Sequence, residues 1–319
     1  MLNRRILRIK AFKVLYSSKL AGNVSLQEAE SKLDVSCEAV RDLYIFMLGI
    51  VQPLTATARE KIESAKNKFN PTEEELNPNM KFADNALATL LESDKDFIKA
   101  MTKRKFSWGQ YDIFLRKLYA SIKEKDYFKE YMDNPERSLK QDCKLFVKIF
   151  EEEFVDDESL EQILEDMSIW WNDDLAYSLT YVCRTLDDLA KGQPWRLPPL
   201  YQSEMRKDKD YESDKLFVHR LLQNAFGAYE RYVNMISEMT PNWDSDRTLP
   251  TDIALIAMGL AEAETFPGIP VKVTINEYVE ISKFYGTVKS RQFVNGLLDR
   301  MVKKLQEEGK IVKTGSGLI

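Results

Sequence analysis

Arg4, Arg5 and Arg8 crowd the start of the chain in "RRILRIKAFKVLY", residues 4–16. At about 100° per residue on a helix, the three fall within an arc of roughly 100°. Lys19 joins that arc, and Tyr16 projects about 20° beyond Arg5. Guanidinium forks suit phosphate oxygens, and a ring gives an unstacked base a surface worth about 1–3 kcal/mol. Such a face suits single-stranded RNA, because side chains reach few base edges in the deep groove of the duplex. An ordinary solvated basic face has the same spacing, so the pattern alone leaves both readings open.

Other chemistry is thinly represented. His219 is the only histidine, which leaves no histidine-rich metal site and no spare imidazole for a triad. Its setting, "LFVHRLLQNAF", suits a structural role on a helix. No glycine-rich phosphate loop occurs. The acidic run "EEEFVDDESLEQ" (151–162) reads as solvated helix faces, and Trp170-Trp171 as packing between helices. The expectation is a non-enzyme that needs no metal or cofactor. Cys37, Cys143 and Cys183 are few and far apart, as free thiols in a reducing cytoplasm would be. The basic N-terminus lacks an uninterrupted apolar core for secretion, and no charge-free run approaches the ~18 residues of a membrane span. The formal net charge is −5, so any nucleic acid must bind through a local patch.

The elements that must position these residues are helices. Glycine and proline are scarce, at 12 and 11 of 319 residues, and no useful run alternates at strand period. Helices are expected over residues 4–22, then a short one capped by Ser25 with Glu28, a long one over 38–68 broken or bent near Pro53, and others over 84–101, 107–131, 138–152, 159–171 and 173–190. Residues 191–214 read as a linker. Further helices follow near 213–238, 249–265, 270–285 and 290–308, and "TGSGLI" reads as a flexible tail. The chain thus divides into N-terminal helices (1–37), a central helical block (38–210), a C-terminal bundle (211–308) and a tail (309–319).

In "INEYVEISKFYGTVKSRQFVNGLLD", residues 275–299, Tyr278, Ile281, Ser282 and Tyr285 form an inward stripe. Thr274 with Glu277 fits a capping box, although Pro270 permits an earlier start. Gly286 suits a stop, and Ser290 a cap for the last helix, whose apolar face is Val294, Leu297, Leu298, Met301 and Leu305. Gly296 costs about 1 kcal/mol against alanine in a helix interior, so it calls for a reason: close packing, or backbone access for a ligand. Phe293 fits either core or a stacking surface.

This stretch closely resembles the C-terminal signature of the NusB family of transcription antitermination proteins. Ile275-Asn276-Glu277, Glu280, Lys283, Phe293-Val294-Asn295-Gly296 and Leu298-Asp299 stand at the family's spacing. "DIALIAMGLAEAE", "LFVHRLLQNAFGAYERYVNMI" and the N-terminal arginine-rich segment are similar to other family helices. The match is specific over about 246–301, and residues 38–210 look like a long insertion for which the resemblance implies no role.

The resemblance implies an all-α protein, a NusB-like pair of small helical bundles with the first helix at their interface. It implies binding of boxA-type single-stranded ribosomal RNA leaders together with NusE, a ribosomal small-subunit protein, in a complex with RNA polymerase and other Nus factors. By matched position, Arg4, Arg5, Arg8, Tyr16, Phe293 and Asn295 would contact RNA, and Glu262 would lie on the NusE-facing side. Ile9, Lys13 and Ala257 depart from the family's usual Glu, Gln and Arg. A second reading is a protein-interaction adaptor with little RNA binding of its own. An intrinsic methyltransferase has no supporting loop or sheet.

Overall fold

The computed structural model describes residues 1–205, 213–240 and 249–318. Residues 206–212 of the expected linker lie outside that range, as do 246–248 of the stretch that carries the resemblance. Among the described residues every regular element is helical, apart from one isolated parallel bridge between Leu2 and Tyr201. The chain is all-α, as its sparing use of breakers implies. It forms two compact units, Met1–Cys37 with Pro199–Ile319, and Glu38–Pro198.

In chain order the helices begin with α1 (Arg4–Ala21), α2 (Leu26–Leu48) and α3 (Val51–Lys66). The short α4 (Glu73–Leu76), α5 (Ala86–Ser93), α6 (Lys95–Arg104) and α7 (Asp112–Glu124) follow. Then come α8 (Asp126–Asp133), α9 (Leu139–Glu152), α10 (Glu158–Met167) and α11 (Leu175–Ala190). The last four are α12 (Asp214–Met239), α13 (Pro250–Thr265), α14 (Val271–Tyr285) and α15 (Ser290–Glu307). The break expected at Pro53 falls earlier, at Gly49-Ile50, and Pro53 sits in the first turn of α3, where its missing N–H costs nothing.

The central unit has its own aromatic core. Trp171 packs with Phe46 and Phe106 at ring separations of 5.3 and 5.5 Å, the structural role its sequence context suggests. One long helical stretch, Leu26–Lys66, has an 18-residue window of mean hydropathy 1.2, and 72% of that window is buried within the protein, as in a core helix.

In the other unit α13 is the centre. Residues 254–263 are all buried, so the helix is surrounded, and it packs against α1, α12, α14 and α15. Val294, Leu297, Leu298, Met301 and Leu305 of α15 form the expected buried face. The unit reaches back to Pro199 because the Met1 ammonium donates to the Pro199 carbonyl at 2.6 Å and Leu2 pairs with Tyr201. His219 lies 2.8 Å from Asp34 through Nε2, a structural link between α12 and α2.

Further local expectations fail: the single helix expected over 107–131 is the two helices α7 and α8. The tail is packed: Gly317 is buried, Thr314 N–H donates to the Pro267 carbonyl, and Ser316 Oγ donates to that of Gly268. Thr274 caps nothing, because α14 starts earlier and buries that hydroxyl. Ser290 is not a cap for α15; its Oγ accepts from Thr287 N–H at 2.8 Å and donates to Asp252 at 2.9 Å. That inward turn explains Gly286, where an added Cβ would lie 2.4 Å from the Ser290 Cβ. Gly296 is the opposite case, since a Cβ there meets nothing within 4 Å. Close packing is therefore not its reason. Urea denaturation should show Gly286→Ala losing about 1–3 kcal/mol through overpacking, and Gly296→Ala gaining up to about 1 kcal/mol through helix propensity.

Candidate functional site

The α1 helix is well specified at both ends. Asn3 caps it by accepting from Ile6 N–H at 3.0 Å, and Gly22 ends it in the left-handed region at φ 76°. Leu7, Ala11 and Val14 are buried, as their spacing predicts. The arginines do not share one solvent face.

Arg8 turns inward. Its side chain is 5% exposed and forks onto the wholly buried carboxylate of Glu262, with Nε–Oε2 at 2.7 Å and Nη2–Oε1 at 2.8 Å. Thr274 Oγ1 donates to Oε1 at 2.9 Å and Tyr278 OH to Oε2 at 3.0 Å. The carboxylate thus accepts four hydrogen bonds, two of them charge-assisted, which compensates its burial. Burial alone would lower the Arg8 pKa, but the Glu262 charge and hydrogen bonds raise it above the ordinary arginine value. The Tyr278 hydroxyl is pushed well up by burial and then by the same negative charge. Arg8 and Glu262 therefore both lie in the interior, whereas matched positions set Arg8 against RNA and Glu262 on the NusE-facing side.

Arg5 remains at the surface, but it is not free. It forks onto Glu277 at 2.9 and 2.7 Å with its own side chain 52% exposed. Glu277 also lies 3.5 Å from Arg8. Desolvation would raise the Glu277 pKa, yet the two arginines hold it below the usual value. Arg4 lies over the Phe217 ring at 4.5 Å and 3.5 Å from Asp214, half withdrawn from solvent. Lys10 is buried.

The outward strip of α1 therefore runs through Arg5, Ile9, Lys13 and Tyr16, with Ser17 and Leu20 beyond. Aromatic rings flank it. Phe12 stacks with Tyr16 at 6.0 Å and meets Tyr285 of α14 at 5.4 Å, while Lys13 Nζ lies 5.9 Å from the Tyr285 ring. On the other flank Lys19 Nζ sits 4.2 Å from Phe226 and 4.9 Å from Tyr229 of α12. Sequence reasoning set Tyr285 in an inward stripe, although it is half-exposed, and passed over Phe226 and Tyr229. Their helical spacing fits core and flank equally, and only the docked position of α1 distinguishes them.

Phe293 and Asn295 separate. Phe293 is 9% exposed, whereas Asn295 is exposed and, with Gly296, lines an open groove of about 620 Å³ between α14 and α15. Asn276, Lys272 and Lys303 share that groove, and no α1 residue lines it. Tyr285 is what connects the neighbourhoods, touching α1 through Phe12 just before the turn into α15.

Comparison with known proteins places this chemistry in context. The model of the NusB family matches residues 182–303. A protein of Salinibacter ruber called "Transcription antitermination protein NusB" is 34% identical over 107 residues, covering 34% of this chain and 67% of the relative. Proteins of the same name from Chloroherpeton thalassium and Alkaliphilus oremlandii are each 31% identical, covering 38% and 29% of this chain and 64% and 67% of theirs. The chain thus spans about two thirds of the length of these relatives. No solved structure matches.

Removing one member of a buried ion pair leaves an uncompensated charge, so Glu262→Ala should cost about 3–5 kcal/mol in urea denaturation. Arg8→Met combined with Glu262→Leu should recover most of that loss. Acid titration should show a further dependence from Glu277. Its folded pKa is depressed, so its contribution is complete above the unfolded carboxylate value of about 4.3 and is lost as pH falls through the folded value.

Proposed function

This chain belongs to the NusB family, and we propose that it is a transcription antitermination factor that binds boxA-type single-stranded RNA of ribosomal leaders in company with NusE. The observation that supports this most is the outward strip of α1, where Arg5, Lys13 and Tyr16 stand beside the Tyr285 ring. Cations set next to rings form the pairing that holds a single strand, phosphates on one and unstacked bases on the other.

In this reading Arg5 exchanges Glu277 for a phosphate, Tyr16 stacks a base, and Arg4 adds charge at the start of the helix. The strand passes Tyr285 towards the beginning of α15, where Asn295 offers its amide and Phe293 supports the backbone beneath. Arg8 and Glu262 set the rotation of α1 and touch no RNA. The NusE side, with Glu262 buried, is better sought at the end of α14, where Phe284 is 80% and Val288 99% exposed.

One observation favours the adaptor reading. Each member of the arginine trio already has an acidic partner within the protein. A salt series with a labelled single-stranded boxA-type RNA separates the two. Loss of one phosphate contact in Arg5→Ala should reduce the slope of log affinity against log salt by about 0.7, and Tyr16→Ala should cost about 1–3 kcal/mol. Circular dichroism should show both variants folded. Wild-type slope and affinity in both variants, with NusE still bound, would favour the adaptor.

A further inference from the structure

The central unit carries an unassigned surface on α6. The inner side of this helix is fixed. Asp94 caps it by accepting from Phe97 N–H at 2.6 Å, Phe97 is buried, and Arg104 binds Asp42 at 2.8 Å and Glu38 at 2.6 Å. The outer side presents Lys95, Lys99 and Lys103, all exposed, at intervals of four residues. Successive ammonium groups therefore start from backbone positions about 6 Å apart. None of these lysines has an ion-pair partner among the described residues, in a chain whose net charge is −5.

Beside this row lies an apolar groove of about 410 Å³, with Pro53, Leu91, Phe97, Met101 and Trp108 among its lining residues. Ile98, 44% exposed, and Thr102 belong both to the groove and to the lysine shelf, so the two features form one continuous surface. Gly49 makes room for the flexible Met101 thioether, since a Cβ there would lie 2.7 Å from its methyl group. A methionine in the lining lets the groove adapt to what enters it. Two exposed carboxylates accompany this surface, Glu92 at the groove and Asp96 in the first turn of α6, against the three lysines of the row.

We propose that this surface docks an acidic amphipathic helix of a partner protein, with apolar side chains in the groove and carboxylates along the lysine row. Apolar anchors at helical spacing, with charge on the flank, are what a helix-binding groove reads. A nucleic acid strand fits less well. The large apolar side chain exposed among the lysines is the aliphatic Ile98, while the Phe97 and Trp108 rings are only 6% and 2% exposed and the half-buried Phe106 ring is packed edge-on with Phe46 and Trp171, which leaves a base little to stack on. Opposite charge across the interface would mainly speed association and fix orientation, and the groove would hold the complex. The proposal is independent of the RNA reading of α1.

Fluorescence anisotropy on the full-length protein tests it. The probe is a labelled synthetic helical peptide with leucines at i, i+3 and i+7 and glutamates on the flanking positions. A scrambled peptide of the same composition and a labelled single-stranded RNA serve as controls. The amphipathic peptide should bind at least about tenfold more tightly than the scrambled one. The double reversal Lys99→Glu with Lys103→Glu, and separately Ile98→Asp, should each weaken it by about tenfold or more. All of these side chains are exposed, and unchanged circular dichroism and urea midpoints would show the fold intact. Equal binding of the scrambled peptide, no binding of the amphipathic one, or wild-type affinity in the variants overturns the proposal. So does a lysine reversal that abolishes RNA binding and leaves peptide binding unchanged.

Discussion

The guanidinium of Arg8 and the carboxylate of Glu262 meet where water does not reach, and the placement of α1 depends on that meeting. Taking two charges out of water costs several kcal/mol per ion, so the pair is tolerated only with good geometry and with its remaining lone pairs satisfied. Thr274 and Tyr278 meet the second condition, and both come from α14. One carboxylate on the central helix therefore fixes the rotation of the first helix and engages the fourteenth. A turn of α1 by a single residue would leave both charges buried and unpaired, a penalty far larger than any gain in apolar contact could offset. With Arg8 fixed inward, Arg5 must meet Glu277 and Tyr16 must lie beside Phe12, with Tyr285 on that ring's other contact. The basic and aromatic strip is thus a consequence of the core.

Much of this fold is legible in the residue pattern. Leu7, Ala11 and Val14 mark the buried side of α1, the face of α15 follows its heptad-like leucines, and the helical spans agree with periodicity to within a few residues along most of the chain. These features rest on burial of apolar area, which recurs at the helical period and needs no knowledge of neighbours.

What the pattern hid depends on neighbours. Spacing places Arg4, Arg5 and Arg8 on one arc, and a wheel turns charge outward by default. A signal for the exception was present: Glu262 stands inside "IALIAMGLAEA", an otherwise apolar run, and a carboxylate there requires a cation from elsewhere. The packed tail is a similar case. "TGSGL" has the composition of a loose end, yet an added Cβ at Gly317 would lie 1.9 Å from the Pro267 carbonyl oxygen, so the glycine serves close approach. Gly296 shows the reverse, a glycine that packs against nothing and leaves one wall of the α14–α15 groove open.

Division of labour within one short arginine cluster is the central claim, and side-chain NMR of the arginine Nε–Hε groups tests it most directly. With selectively labelled protein, the Arg8 Hε should exchange slowly with water and keep its shift as single-stranded RNA is added, because Glu262 holds it in the core. The Arg5 Hε should exchange faster and move with the titration as phosphate replaces Glu277. An Arg8 resonance that exchanges as fast as that of Arg5 and shifts with RNA would contradict the buried pair and the reading of α1 built on it.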